Sequence, residues 1–541
     1  MGLASSADEV NPSFFEDLLI NDIKLNDPIC KTILTSKPLS KKVFDSQIVE
    51  QINIKKPNNV RVLIYQSIFS ISRIAQLSSE SEFPQALLIS CYNSYLLMQR
   101  FGLLCYHHWN LWPSPSNLTG TLPTILFQSS FALLNHQCFM SSNNEESFYY
   151  QLRCEIVHTL FLFLFWDSQE PSDIFPNVHF SALNQSNPKS LFRTIFNGKP
   201  GINDDFRRLS YQIISSGIAF CPVWTDLVSQ ISFVDIYPVF EPLLSIHEED
   251  QLSLSNISIQ TTSHELYSLL YQVLLNHPDA IESLPKGKAF IVSILYALQI
   301  FNEKVSLCYF HSIALSTLVL LTSDSRLSSS LNDPFTSSFQ CRSSVHRGSH
   351  ADLLIEIITN TIGNDISQTI PLLPAIACII HNISSHVKSF SFFTCNRIFR
   401  FLQLLIESKD KQASRLMQIV VDGLVQILHD QFSSNINILM FTIKHFKTFK
   451  YLKTLGLNVD YLITFIEAFK SKAKDIGASK MGTDEAESVL RTMKPELFMG
   501  DYEPPGPRGH IFTGEMAELW SDWMRTISAK HYSCKSIRSK K

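Results

Sequence analysis

The chain has 541 residues, enough for a large buried core in one superhelix or in two to three compact domains. Hydrophobic residues make up 45% of it and charged residues 17%, so the composition excludes an intrinsically disordered protein. The formal net charge of −4 lacks the basic excess typical of nucleic-acid binding, and we expect no nucleic-acid partner. The 39 phenylalanines indicate a many-layered helical core, or surfaces that partners or membrane cover.

The 11 cysteines are scattered and form no Cys-x-x-Cys pair, a usage typical of reduced thiols in a cytosolic protein. Asp8 and Glu9 lie where a signal peptide would have its apolar core. No apolar run reaches the ~18–20 residues that a membrane-spanning helix needs. These features together predict a cytoplasmic chain.

The first residues, MGLASS, match the pattern for N-myristoylation. Removal of Met1 would make Gly2 the N-terminal residue and would place Ser6 where the pattern requires it. The pattern is short, and an ordinary N-terminus of small residues is the alternative interpretation. We predict that residues 1–13 are a flexible N-terminus with a possible lipid anchor at Gly2. One myristoyl chain binds membrane only weakly, so a second attachment would be needed.

Apolar residues recur at helical spacing along most of the remaining chain. Residues 14–166 are predicted to form an N-terminal helical region, and residues 264–473 a C-terminal helical solenoid. Residues 167–263 contain many Pro, Asn and Ser, which indicates an irregular connection with short helices. Within it, the prolines of residues 232–244 favour an extended loop. Residues 323–347 are rich in serine and are expected to be a surface loop.

The most regular stretch is Gly348–Leu457. Ser349 and Asp352 predict a capping box at the start of a helix, and Pro371 and Pro374 suit the first turn of the next one. Three apolar stripes are predicted to be buried: Leu353, Leu354, Ile357, Ile358 and Ile362; Ile376, Ile379, Ile380, Ile383 and Val387; and Leu416, Ile419, Val420, Leu424, Ile427 and Leu428.

Helices occur about every 20 residues, so a helical pair takes about 40, as in HEAT and armadillo arrays. The predicted fold is therefore all-α, with stacked helical pairs in a HEAT-like or armadillo-like solenoid that has long surface loops. Residues 474–541 are expected to add a linker at 474–510, a terminal helix at 512–527 and a basic tail.

The sequence contains no nucleophile elbow, phosphate-binding glycine loop or zinc-protease motif. We therefore predict no catalytic residue, no cofactor and no enzymatic activity. Five residues are potential zinc ligands: Cys105, His107, His108, His136 and Cys138. Their spacing does not match that of any standard structural zinc site. Aromatic neighbours favour packing for this group, so no metal is predicted. His381, in an apolar helix, is interpreted as a hydrogen-bonded histidine in the core or at its edge.

A basic helix is predicted at Phe441–Lys453. Its lysines recur every three residues: Lys444, Lys447, Lys450 and Lys453. At ~100° per residue they form a slowly spiralling positive stripe, interleaved with phenylalanines. A solvated face above core aromatic residues is one interpretation. The other is a binding surface for an acidic partner or for anionic lipid headgroups.

Three segments give the sequence a resemblance to a known family. They are GSHADLLIEII, which starts at Gly348, LLPAIACIIHNIS, which starts at Leu372, and Asn435-x-Asn437 before the basic helix. With these segments the chain resembles the family of the high-temperature-induced dauer formation protein and its relative dymeclin. Relative to that family it is short, with little of the usual insertion after the basic helix and fewer C-terminal helices.

The resemblance implies a non-enzymatic scaffold on the cytoplasmic face of the Golgi, active in vesicle trafficking and in sorting of protein cargo. The implied partners are the Golgi or trans-Golgi membrane surface and cytosolic trafficking proteins that the sequence does not identify. The oligomeric state is equally open. One alternative is an adaptor that recruits a separate enzyme, such as a deubiquitinase, to the Golgi. Another, which does not come from the resemblance, is an enzyme of an unrecognised type.

Overall fold

The fold is known from a computed structural model. The residues it describes are 13–25, 27–35, 37–39, 46–77, 83–102, 121–141, 147–165, 188–196, 204–244, 264–277, 279–302, 308–335, 340–341, 344–345, 348–362, 369–408, 412–475, 482–500 and 502–508. They form two compact units, of which the first ends at Val239 and the second begins at Phe240. Gly2, the predicted terminal helix at 512–527 and the basic tail lie outside the described residues.

The N-terminal unit consists of helices. They are α1 (Ser13–Ile20), α2 (Pro28–Thr35), α3 (Ser46–Lys55), α4 (Pro57–Ala75), α5 (Gln85–Leu97) with a π-helical turn (Met98–Gly102), α6 (Leu122–Leu134), α7 (Gln137–Ser141), α8 (Phe148–Phe165), α9 (Lys189–Phe196), α10 (Asp204–Phe220), α11 (Pro222–Gln230) and α12 (Phe233–Ile236). Helix α4 packs on α5 and α6, and α8 packs on α10. A 3₁₀ helix, Tyr237–Leu243, follows α12.

The C-terminal unit is also helical. Its helices are α13 (His264–Asn276), α14 (Gly287–Asn302), α15 (Cys308–Thr322), α16 (Ser325–Ser330), α17 (His350–Asn360), α18 (Leu373–Ser384) after a 3₁₀ turn (Ile370–Leu372), α19 (Phe392–Glu407), α20 (Ala413–Asp430), α21 (Ile436–Lys444) after a 3₁₀ turn (Phe432–Ser434), α22 (Phe446–Thr454), α23 (Asp460–Asp475), α24 (Thr483–Thr492) and α25 (Glu496–Met499). Two two-residue strands, β1 (Gln340–Cys341) and β2 (Ser344–Val345), pair as an antiparallel hairpin. The all-α prediction is confirmed.

Helices of the C-terminal unit pack in two neighbouring rows. One row runs α13, α15, α18 and α20, each in contact with the next, and the other runs α14, α17, α19 and α21. The rows contact each other through the pairs α14–α15, α17–α18 and α19–α20. This neighbour pattern agrees with stacked helical pairs. The superhelical form of a solenoid stays a prediction.

The predicted helix signals of this unit are present. Ser349 and Asp352 form the capping box at the start of α17, and Pro374 lies in the first turn of α18. The predicted stripes are buried, with two residues lying beyond the helix ends: Ile362, half-buried past α17, and Val387, buried past α18. The spacing of apolar residues therefore identified both the helices and their inward faces.

Two segments predicted to be loops contain helices. Residues 232–244 form α12 and a 3₁₀ helix. Pro238 lies in the first turn of the 3₁₀ helix, where its missing N–H would have no intrahelical partner, whereas Pro242 lies inside it. Residues 323–347 begin with α16, where the Asp324 carboxylate accepts the Leu327 N–H at 2.9 Å. Leu327 and Leu331 are buried, and their burial favours the helix despite its serine-rich composition.

The prediction of a linker at residues 474–510 is also wrong. It contains α24 and α25, whose Leu490 and Met499 are buried. An extended segment, residues 502–508, follows and lies on α18 and α20. There Asn382 exchanges two hydrogen bonds with the backbone of Arg508, at 2.7 and 3.1 Å. These contacts lie 126 residues apart in sequence, so local composition did not indicate them.

The loop between α18 and α19 is fixed by side chains from other helices. The Asn435 side chain accepts the Phe390 N–H at 3.0 Å and donates to the Val387 carbonyl at 2.7 Å. Asn437 donates to the Phe390 carbonyl at 2.8 Å. Both asparagines thus supply the backbone partners that a non-helical segment lacks.

Asp352 reaches the same loop from α17. One carboxylate oxygen accepts the Ser391 N–H at 2.9 Å, and the other accepts the Ser349 N–H at 3.0 Å within the capping box. We call Asp352, Asn435 and Asn437 the loop clamp. The sequence segments that carried the family resemblance supply all three residues. In this protein these residues of the segments therefore hold the loop in place.

His381 lies in the core, as predicted, with 1% of its surface exposed. Neither ring nitrogen has a hydrogen-bond partner of ordinary geometry among the described residues, although the side chain of Asn382 interacts with the ring. Burial, reinforced by the nearby charge of Arg508, lowers the pKa of His381 to about 4. The ring is therefore neutral at neutral pH.

Replacing Asn435 by alanine is expected to destabilise α19 by about 2–4 kcal/mol, because one N–H and one carbonyl would be buried without partners. Hydrogen exchange of the α19 amides measures this loss. Asn458→Ala is the matched control, since Asn458 is exposed and is bonded through its backbone. Equal exchange in the two variants would contradict a stabilising role for the clamp.

Acidification is expected to destabilise the C-terminal unit through His381. The unfolded ring binds a proton near pH 6.5, whereas the folded ring resists protonation down to about pH 4. The stabilisation that depends on a neutral His381 ring is therefore fully present above pH 6.5 and is lost as the pH falls. The free energy of unfolding should decrease by about 2 kcal/mol between pH 7 and pH 5. Urea unfolding at the two pH values measures the loss. In the His381→Leu variant, the decrease in the free energy of unfolding between these pH values should be smaller by this amount. The same decrease in the variant and the wild type would show that His381 is not responsible.

Candidate functional site

The predicted basic helix at Phe441–Lys453 is in fact two helices, α21 and α22, separated at His445. Phe441 and Phe449 are eight residues apart. On one straight helix, their side chains would leave the axis in directions about 80° apart. Both rings contact Phe399, with centroid distances of 5.7 and 6.1 Å. Both rings therefore enter one core, and the single helix that was predicted is interrupted at His445.

His445 fills the break between the two helices. Its imidazole stacks on Phe399 with 4.6 Å between ring centroids. Burial and the neighbouring charge of Lys444 both lower the pKa of His445, so the ring is neutral near pH 7 and packs as an aromatic group.

The predicted lysines are all exposed: Lys444, Lys447, Lys450 and Lys453. Two of them lie against phenylalanine rings. Lys444 Nζ is 5.8 Å from the Phe441 ring centroid, and Lys450 Nζ is 4.5 Å from that of Phe446. Cation–π attraction holds such ammonium groups close to the surface. Lys453 differs, because its Nζ pairs with Asp460 at 2.7 Å, which offsets its charge.

A fifth lysine, Lys470 of α23, joins this surface and was missed in the sequence. Its Nζ lies 3.4 Å from the Phe446 ring centroid, so Lys450 and Lys470 share one aromatic ring. Partial burial first, and then the charge of Lys450, lower the pKa of Lys470. No spacing could have indicated this pairing, because it depends on the packing of α22 against α23.

We call this group the basic surface: Lys444, Lys447, Lys450, Lys453 and Lys470. Like charges held close together raise each other's electrostatic energy, and an anionic ligand would relieve that repulsion. The surface offers ammonium donors and aromatic rings but no nucleophile with an activating base. Its chemistry is that of anion binding.

No metal centre is present among the described residues, where no three His, Cys, Asp or Glu side chains lie close enough to hold an ion. His136 packs on Phe83 with 4.5 Å between centroids, in agreement with the packing interpretation. Cys105, His107 and His108 lie outside the described residues. In the described part of the chain, no helix has both the length and the apolarity to cross a bilayer.

Comparison with known proteins places these features in a family. Residues 228–506, just over half of the chain, match the model of the family described as Dymeclin: Dyggve-Melchior-Clausen syndrome protein. The loop clamp and the basic surface both lie inside the matched range.

Two relatives are both called Protein HID1. The mouse protein (Mus musculus) is 26% identical over 169 residues, which cover 30% of this chain and 21% of that protein. The human protein (Homo sapiens) is 25% identical over 169 residues, with the same coverage of 30% and 21%. The match thus spans about a fifth of each relative's length. The family match shows that this chain belongs to the dymeclin family.

Proposed function

We propose that this protein is a non-enzymatic peripheral scaffold on the cytoplasmic face of the Golgi, where it acts in vesicle trafficking and cargo sorting. Family membership supports the cellular setting. The observation that supports the mode of attachment is the basic surface, in which Lys450 and Lys470 meet over one phenylalanine ring. In this proposal, cytosolic trafficking proteins bind elsewhere on the helical units.

The charge distribution favours membrane contact through one face of the protein over attraction of the whole chain. The whole chain has a formal charge of −4, so an anionic membrane would not attract it without orientation. The basic surface gives it one attractive face. Each lysine near an anionic bilayer contributes about 1 kcal/mol, and Lys453 contributes less because Asp460 already pairs with it.

Two weak attachments together give stable membrane binding. A single myristoyl chain at Gly2 binds only marginally, and several lysines alone bind reversibly. In combination, the first attachment makes the second effectively intramolecular. The proposal therefore assigns the anchor to Gly2 and the orientation to the basic surface.

Charge reversal tests the basic surface. We expect the triple variant Lys444→Glu, Lys447→Glu, Lys450→Glu to bind vesicles containing phosphatidylserine at least about 100-fold more weakly, since three contacts of ~1 kcal/mol are removed. Co-sedimentation of the purified full chain with vesicles measures the loss. The matched control is Lys24→Glu, Lys31→Glu, Lys55→Glu, which changes the net charge equally at exposed lysines of the N-terminal unit. Equal binding by the two triple variants would refute the assignment.

Substitution of the acceptor glycine tests the anchor. Gly2→Ala is expected to move the protein from the membrane fraction to the soluble fraction of lysed cells, because alanine cannot accept the myristoyl group. Incorporation of a labelled myristate into the wild type, and not into the variant, is the accompanying measurement. A variant that stays with the membranes would show that lipid at Gly2 is not the anchor.

A further inference from the structure

Two adjacent phenylalanines at the start of α19 point into solvent. Phe392 is 60% exposed and Phe393 is 79% exposed, the highest value for a large apolar side chain in the part of the chain that the structure describes. Single exposed apolar residues are ordinary. Two neighbouring rings form an apolar patch, which water solvates poorly and which a partner surface would cover.

The position of this pair is fixed by the structure beneath it. Phe390, just before it, is buried and is held through both its N–H and its carbonyl by Asn435 and Asn437. Ser391 caps α19 by accepting the Thr394 N–H at 3.2 Å, while its own N–H is bonded to Asp352. The clamp therefore presents the two rings on a rigid base, and binding would require little ordering of the loop.

The pair lies beside the basic surface. The Phe392 ring centroid is 4.8 Å from that of Phe441, and Lys444 Nζ is 5.8 Å from the same Phe441 centroid. Two carboxylates of α17 are already engaged: Asp352 is buried in the clamp, and Glu356 pairs with Arg397 at 3.7 Å. At the far side of the basic surface, Glu467 and Asp460 act on Lys470 and Lys453. An apolar tip with cationic neighbours is the combination found where proteins enter the interface of an anionic bilayer.

We propose that Phe392 and Phe393 insert into the headgroup–acyl boundary of an anionic membrane while the lysines of the basic surface contact the headgroups. This inference rests on the proposed function and adds the apolar half of the contact. A bilayer fits better than a second copy of the chain, because a symmetric pairing through this patch would bring the lysines of the two copies together.

Phe393 is the position to test. Because it is exposed, Phe393→Ser should leave the thermal unfolding midpoint unchanged, whereas the Phe392 ring also packs on Phe441. We expect Phe393→Ser to weaken binding to phosphatidylserine-containing vesicles about 10-fold, from the loss of one partly buried ring. Phe393→Trp should bind at least as tightly as the wild type, since tryptophan favours the membrane interface. Val234→Ser, at an apolar residue of α12 that is 74% exposed, is the matched control.

Salt dependence separates the two halves of the contact. Phe393→Ser should keep the wild-type decline of binding with ionic strength, because it removes no charge. The triple lysine-to-glutamate variant should lose that decline. On vesicles, the amides of residues 390–396 should also exchange more slowly in the wild type than in Phe393→Ser.

The results distinguish this inference from the proposed function. If Phe393→Ser and Val234→Ser bind vesicles equally while the lysine variant does not bind, insertion is refuted and electrostatic attachment stands. If the lysine variant binds as the wild type does, the proposed attachment itself is refuted. If Phe393→Ser changes only the sedimentation coefficient without vesicles, the patch joins two copies of the chain and the membrane assignment is wrong.

Discussion

Burial of backbone groups in the loop between α18 and α19 is the constraint on which the C-terminal unit depends. A chain that leaves one helix and enters the next must pair the N–H and carbonyl groups that it buries, and Val387 and Phe390 of this loop are buried. Asn435, Asn437 and Asp352 provide those partners from three other points in the chain. The loop in turn fixes where α19 begins, and therefore where Phe392 and Phe393 lie.

The basic surface depends on the same packing. Phe399 of α19 contacts Phe441, His445 and Phe449, so the break between α21 and α22 follows from one shared aromatic core. The packing of α22 against α23 adds Lys470 to the same surface. Charge on the outside and aromatic packing on the inside are thus two results of one arrangement.

Much of the fold could be predicted because its signals are local. Apolar spacing identified the inward faces of α17, α18 and α20, and Ser349 with Asp352 identified a helix start correctly. The errors occurred where tertiary burial outweighed composition. The serine-rich α16 and the charged α24 are helices because Leu327 and Leu490 reach a core. Segment 502–508 is held by Asn382 and other polar groups far away in sequence.

The sequence by itself determined that this protein is helical, where the core residues of α17, α18 and α20 lie and that four lysines near residue 450 lie on the surface, because each of these depends on neighbours within a few turns. It also indicated the family through three short segments. Only the tertiary structure decided that Lys470 joins Lys450, that His381 is buried beside Arg508, and that two phenylalanines lie exposed beside the lysines. Those features arise between helices distant in sequence, and helix packing, not local propensity, sets them.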